Sequence, residues 1–215
     1  MKYQDKIGGS MKTCYIFGAC EGMPEKFQPN SNDLIIAADG GMNILNKLKV
    51  RPNILLGDFD SLSEKICFDG EIVRYPVKKD DTDTMLAIKT GLERGYKKFV
   101  LYGCTGGRLD HTIANIQALN YIAENNALGY LCGDDFTVTV IKEGKIEFDP
   151  KAKGSVSVFS LSNTAEVTIE GLLYNIKNTK ISNSDPLGVS NEFIGQKSQI
   201  TVNSGTVIIY WSNGL

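Results

Sequence analysis

The segment Ile54-Leu55-Leu56-Gly57-Asp58-Phe59-Asp60-Ser61 decides how the chain is read. Its apolar run predicts a buried strand, and Gly57 predicts a sharp turn where that strand ends. Asp58 and Asp60 stand two positions apart, so in extended chain both carboxylates project from one face. Two anionic groups with no basic neighbour in the segment repel each other. A bound hard cation such as Mg2+ relieves that repulsion. A solvated Asp-rich loop accounts for the pair as well, so the decision rests on whether the same arrangement recurs.

It recurs upstream. Thr13 to Phe17 reads as a strand ending at Gly18-Ala19, and Glu21 to Asn32, with two prolines, reads as a loop. Asp33 to Ala38 gives a second buried strand closed by Asp39-Gly40-Gly41, and Met42, Leu45 and Leu48 follow at helical spacing. Asp39 therefore sits at a strand-to-helix junction, where Gly40 allows the backbone close to a ligand. An ordinary helix cap is the competing account of Asp39.

It recurs downstream too. Ser61 to Asp69 predicts a helix, and Glu71 to Tyr75 a strand stopped by Pro76. Lys78-Lys79-Asp80-Asp81-Thr82-Asp83-Thr84 then opens a helix over Met85 to Leu92. Capping explains one or two of these acids. Three acids beside two lysines suit phosphates and a metal better. Lys98 to Tyr102 forms the next strand and runs into Gly103-Cys104-Thr105-Gly106-Gly107-Arg108-Leu109-Asp110-His111, followed by a helix over Thr112 to Glu124. Strand, glycine loop and helix start make an anion site, although the spacing is neither G-x-x-x-x-G-K-[ST] nor a full G-x-G-x-x-G. Arg108 can clamp a transferring phosphate while Asp110 binds metal or orients a donor.

Alternation of strand and helix through about Val140 predicts a doubly wound, largely parallel sheet, an α/β domain over residues 11–143. Ligands of such sheets bind beyond the carboxyl ends of the strands. Asp39, Asp58, Asp60, Asp83, Arg108 and Asp110 all fall at those ends or at the helix starts that follow. From residue 144 to 215 the pattern changes to short alternating strands, at Lys145–Phe148, Ser155–Leu161, Ala165–Ile169, Gln199–Val202 and Thr206–Trp211. No helix is predicted there, and the segment reads as an all-β sandwich with Trp211 in its core.

Composition narrows the function. With 42% hydrophobic residues in 215, the chain can build a substantial core. A net charge of -2 without a basic run argues against nucleic acid. Five cysteines without a C-x-x-C pair disfavour a disulfide framework or zinc site and fit a cytoplasmic location. No apolar run reaches the roughly 18 residues of a membrane span. The polar leader, residues 1–10, lacks the apolar centre of a signal peptide and is set aside from the fold. One histidine, His111, excludes His-rich metal sites, and no G-x-S-x-G is present. Chemistry must rest on carboxylates, hydroxyls, Lys and Arg.

Taken in order, Ala38-Asp39-Gly40-Gly41, Gly57-Asp58-Phe59-Asp60-Ser61, Asp80-Asp81-Thr82-Asp83, Gly106-Gly107-Arg108-Leu109-Asp110-His111 and Ser190-Asn191-Glu192-Phe193 resemble the thiamine pyrophosphokinase family. The resemblance spans the chain from about Met11 onward. It implies Mg2+-dependent transfer of pyrophosphate from ATP to the thiamine hydroxyl, with release of AMP. It also implies a homodimer whose active sites lie between the α/β domain of one subunit and the β domain of the other. By position, Asp58, Asp60 and Asp83 would hold Mg2+, and with Arg108 and Asp110 they would form the catalytic set. Asp39, Gly40, Lys79, Asp80, Thr82, Thr105, Gly106, Arg108 and His111 would bind ATP. Tyr174, Ser190 and Asn191 would bind thiamine, with the Tyr174 ring stacking on it. Two other readings remain beside this one. One is another Mg2+-dependent Asp-x-Asp enzyme, a phosphatase or a glycosyltransferase. The other is a thiamine or nucleotide sensor without catalysis.

Overall fold

The apolar pentapeptide Leu34–Ala38 (β2) is buried along its whole length, and its neighbours explain why. It lies in register beside Thr13–Phe17 (β1) on one side and Ile54–Gly57 (β3) on the other, both parallel to it. A computed structural model gives this arrangement and describes residues 11–20, 22–57, 68, 70–74 and 80–212. Lys98–Tyr102 (β5) and Leu128–Cys132 (β6) extend the parallel sheet beyond β1, and Glu71–Arg74 (β4) extends it beyond β3. The order across it is therefore β6-β5-β1-β2-β3-β4.

Side chains alternate across a strand, so each parallel strand supplies two cores. Cys14, Ile16, Ile36, Leu56, Phe99 and Leu101 face the helices Asp83–Glu93 (α2) and Leu109–Glu124 (α3). Phe17, Ile35, Ala37 and Leu55 face the helix Met42–Leu48 (α1). Helices thus cover both faces around β1 to β3, while the second face of β5 and β6, at Val100 and Tyr130, packs into the core of the strands that follow. Each fully buried Leu, Ile or Phe here contributes about 1.5–3 kcal/mol. Helix α3 begins three residues earlier than the periodicity indicated, at Leu109, because Arg108 in extended conformation acts as its cap.

From Phe136 the strands turn antiparallel. Phe136–Phe148 (β7) pairs with β6 at its start and with Ser198–Ser212 (β12) along its length. The two strands expected at 199–202 and 206–211 are one, interrupted by a bulge between Val202 and Thr206. On its other edge β12 pairs with Thr164–Glu170 (β9) through its first half and Ser155–Ser160 (β8) through its second. Ile176–Ser182 (β10) adds to β9, and Asn191–Glu192 (β11) adds to β8. β10 is not among the strands expected from the sequence, its residues being mostly polar with only Ile181 buried. Among the described residues, none after Glu124 is helical.

Trp211 is 1% exposed and sits in this second core, as its strand placement indicated. Its ring meets Phe148 at 5.2 Å and Tyr130 at 6.3 Å between centroids, and Phe148 meets Phe193 at 5.3 Å. Since Tyr130 belongs to β6, the aromatic chain ties the antiparallel strands to the parallel sheet.

Candidate active site

The parallel strands all end on one rim. Past β1, Gly18 N donates to Tyr102 O at 2.8 Å and Cys20 N to Gly103 O at 2.8 Å. The ends of β1 and β5 are thus held together before their loops separate. Strand order runs outward from β1 in one direction and from β5 in the other, which makes their boundary the topological switch point.

Asp39 follows β2 directly, in a 3-10 turn over Asp39–Gly41. Its φ of 49° is left-handed, a conformation Asp adopts more readily than most residues. Gly41 beneath it is buried so closely that an added Cβ would overlap Phe17 O, and one at Gly40 would lie 2.8 Å from the Ala19 Cβ. Asp39 and Gly40 are therefore pinned between the ends of β1 and β2.

The acidic stretch before α2 divides its duties. Thr82 is the helix cap, its hydroxyl oxygen accepting from Met85 N at 3.2 Å. Asp81 pairs with Lys89 at 2.6 Å, a contact along the helix face. Asp80 is exposed, and Asp83 occupies the first turn of α2, which packs against β1, β2 and β3. Asp58, Asp60 and Lys79 lie outside the described residues. Among the described residues no group of three or more His, Cys, Asp or Glu side chains is assembled for a metal.

The glycine loop after β5 turns on left-handed residues, with φ of 64° at Gly103, 81° at Gly106 and 62° at Gly107. Thr105 is buried at 5% exposure, so it anchors the loop from below. Arg108 donates from Nε to Asp110 Oδ1 at 3.1 Å and from Nη2 to Asp110 Oδ2 at 2.6 Å. The Asp110 carboxylate also accepts from His111 N at 3.0 Å. The bidentate Arg108 contact holds Asp110 below the usual carboxylate range, and the same contact raises Arg108. The pair is exposed, Arg108 at 72% and Asp110 at 64%, so a polyanion can reach the guanidinium from solvent. His111 is exposed beside them.

The remaining predicted residues lie elsewhere. Tyr174 precedes β10 and Asn191 lies in β11, so strands β7 and β12 stand between them and the rim of the parallel sheet. Asn191 Oδ1 accepts from Tyr174 N at 2.9 Å, and its Nδ2 donates to Tyr174 O at 2.7 Å. Both ends of a buried amide thus grip the Tyr174 backbone, while the ring itself is 64% exposed. Ser190 has a left-handed φ of 62°, and its N donates to Ser157 Oγ at 3.2 Å.

Two sets of residues escaped the sequence reading. Ala19, Cys20 and Met23, after β1, border the rim with Ile44 and Lys47 of α1. The signal available was a strand running into Gly18-Ala19-Cys20, small residues at a strand end. Asn115 is the other: buried within α3, it donates to Cys104 O at 2.8 Å. The signal available was helical spacing, since Asn115 shares a face with Ala118, Leu119 and Ile122, but its polar side chain gives no apolar mark there.

Comparison with known proteins finds two adjacent matches. The model for the thiamin pyrophosphokinase catalytic domain matches residues 28–129, and that for the thiamin pyrophosphokinase vitamin B1 binding domain matches residues 143–207. The thiamine pyrophosphokinase of Bacillus subtilis is 28% identical over 187 residues, covering 84% of this chain and 87% of that protein. Among solved structures, the thiamine pyrophosphokinase of Bacillus subtilis superposes with a TM-score of 0.85 at 26% identity, over 95% of this chain and all of that one. The thiamin pyrophosphokinase of Geobacillus thermodenitrificans superposes with a TM-score of 0.82 at 26% identity, over 94% of this chain and 97% of that one.

Proposed function

Since the chain belongs to the thiamin pyrophosphokinase family, we infer that its strand-end rim is the place where the pyrophosphoryl group of ATP passes to the thiamine hydroxyl, giving thiamine diphosphate and AMP. The observation that carries the reading is the coincidence of motif and topology. Asp39, Asp83, Arg108 and Asp110, on three loops distant in sequence, all follow parallel strand ends or open the helices after them.

The roles follow from charge. ATP is a polyanion, and an alcohol attacking its β-phosphorus needs that charge neutralised. Arg108, at the start of α3, stabilises the negative charge on the transferred group. Substrate phosphate competes with Asp110 for the guanidinium and frees that carboxylate. Asp110, ionised through the physiological range, is then a candidate acceptor for the hydroxyl proton.

Carboxylate oxygens are the donors a hard cation takes, so Asp83 suits Mg2+, and Asp58 and Asp60, next in the chain after Gly57, would complete the set. Bound there, Mg2+ screens the polyphosphate charge. Asp39, Gly40, Asp80, Thr82, Thr105, Gly106 and His111, with Lys79, would bind the nucleotide.

Thiamine is assigned to Tyr174 and Ser190, with Asn191 holding Tyr174 in place. A cationic ring stacks on an exposed tyrosine face. The strands lying between Tyr174 and the rim support a homodimer in which one copy supplies the rim and the other the tyrosine. Exposed apolar side chains at both places, Leu109 and Ile113 on α3 and Leu187 and Val189 near Ser190, support the same pairing. Division into a catalytic part over 11–143 and a thiamine part over 144–215 follows the same logic. Four free thiols among the described residues suit a reducing cytoplasm.

The deciding experiment incubates the protein with ATP, Mg2+ and thiamine and separates the products. AMP formed in step with thiamine diphosphate is expected. ADP with thiamine monophosphate means a simple kinase, and neither product with thiamine still bound means a sensor.

A further inference from the structure

We propose that Lys151 is a positioning residue for thiamine, its ammonium acting through the Phe193 ring on the chain segment that fixes Tyr174. This rests on Tyr174 lying in the thiamine site. Two stretches run antiparallel beside each other there. Leu172 bridges to Phe193, Leu173 N donates to Glu192 O at 3.0 Å, and the Asn191 amide clasps Tyr174 N and O. Tyr174 thus stands at one end of a short ladder and Phe193 at the other. Where Phe193 settles therefore sets how the exposed tyrosine ring is presented.

Phe193 is buried and held from several directions. Its ring meets Phe148 at 5.3 Å between centroids, its N donates to Gly154 O at 2.9 Å, and Lys151 Nζ lies over its face, 4.9 Å from the ring centroid. The Lys151 carbonyl accepts from Gly195 N at 2.8 Å, so the turn between β7 and β8 is bonded to this segment at Phe193 and again at Gly195. Lys151 Nζ is shut off from solvent without a hydrogen-bond partner among the described residues, and burial lowers its pKa. An ammonium out of water without an acceptor opposes folding. Methionine would fill the same space without that cost. What the charge adds is attraction to the electron-rich ring face, which selects one ring orientation where an apolar neighbour would accept several.

Thiamine Kd is measured by titration calorimetry on the whole protein, with turnover recorded on the same samples. Lys151→Met should raise the thiamine Kd about fivefold, as for the loss of a cation–π contact, and leave the ATP KM unchanged. Its denaturation midpoint should equal or exceed the parent's, since no unpartnered charge is buried. Lys151→Arg keeps a cation for the ring and should stay within about twofold of the parent. In a Tyr174→Ala background Lys151→Met should add less than about twofold, because its effect passes through that tyrosine. An unchanged Kd in Lys151→Met, a Lys151→Arg protein as weak as Lys151→Met, or additive effects of Lys151→Met and Tyr174→Ala overturns the proposal. So does a raised Kd that comes only with a lowered midpoint, which would make Lys151 structural. An unchanged Kd in Tyr174→Ala sinks the thiamine site and the proposal with it. Thiamine bound without turnover sinks the enzymatic reading and leaves the Lys151 comparison standing.

Discussion

Asn115 Nδ2 donates to the backbone oxygen of Cys104 at 2.8 Å, fastening the middle of α3 to the first residues of the loop that carries Arg108. Both residues are buried, so the bond is shielded from water. Cys104 also meets Gly18 and Thr84 through its thiol, which places the ends of β1 and β5 and the start of α2 around one residue. Asn115→Ala leaves the Cys104 carbonyl buried without its donor, a loss of about 1–3 kcal/mol. The variant should unfold at lower denaturant concentration and lose turnover beyond what its folded fraction explains. Normal turnover per folded molecule would show that Asn115 serves stability alone.

Asp83→Asn and Asp58→Asn each remove a proposed Mg2+ donor without changing side-chain size. Turnover should fall by about three orders of magnitude, with unfolding transitions close to the parent's. Either variant keeping near-normal turnover leaves the metal set without that residue.

Tyr174→Ala should raise the thiamine KM about tenfold, as expected for a lost cation–π contact of about 1–2 kcal/mol. Asn191→Ala should move the same constant in the same direction, because the amide that grips the Tyr174 backbone is gone. Neither should alter the ATP KM. An unchanged thiamine KM in Tyr174→Ala places the ring outside the pocket.

Gly41→Ala tests the close approach beneath Asp39. An added Cβ overlaps Phe17 O, and backbone there has no room to give. Overpacking of this kind costs about 1–3 kcal/mol. Thermal unfolding should shift down by several degrees; an unshifted transition would mean that β1 and the turn can separate freely.

Glu147 ties β7 to the start of β12, accepting from Lys145 at 2.8 Å and pairing with Lys197 at 2.7 Å. Those two lysines lower its carboxyl to about 2. A depressed carboxyl contributes stability above its ordinary value of about 4.5 and loses it as pH falls toward 2. Glu147→Gln should therefore be the less stable protein at pH 6, by a small margin because the groups are exposed, and should match the parent near pH 2. Denaturation midpoints measured across that range test this; a constant gap down to pH 2 would rule out the lysine contacts as its source.

How much of this was legible beforehand varies with the kind of force. Strands such as Leu34–Ala38 are written in continuous apolar runs because burial on both faces demands it, and helices such as α2 in their caps and 3.6-residue spacing. The placement of Asp39, Asp83 and Arg108 at strand ends and helix starts was legible because apolar runs and helix-start patterns mark where each element stops or begins. Strand β10 was not, since its polar residues pair through backbone hydrogen bonds that any side chain permits. Nor was the unity of β12, where a bulge at Val202 to Thr206 looks locally like a turn.

The sequence by itself determined which residues bury and which carry charge, since hydrophobicity and ionisation are properties of each side chain. Tertiary structure alone decided which of them meet. Strand order brings the loops after β1 and β5 together at the switch point, although more than eighty residues separate Cys20 from Gly103. It fastens Asn115 to Cys104 and Asn191 to Tyr174, contacts that depend on hydrogen-bond geometry across elements. Such pairings leave no periodic trace in the chain, because either partner would be acceptable where it stands without the other.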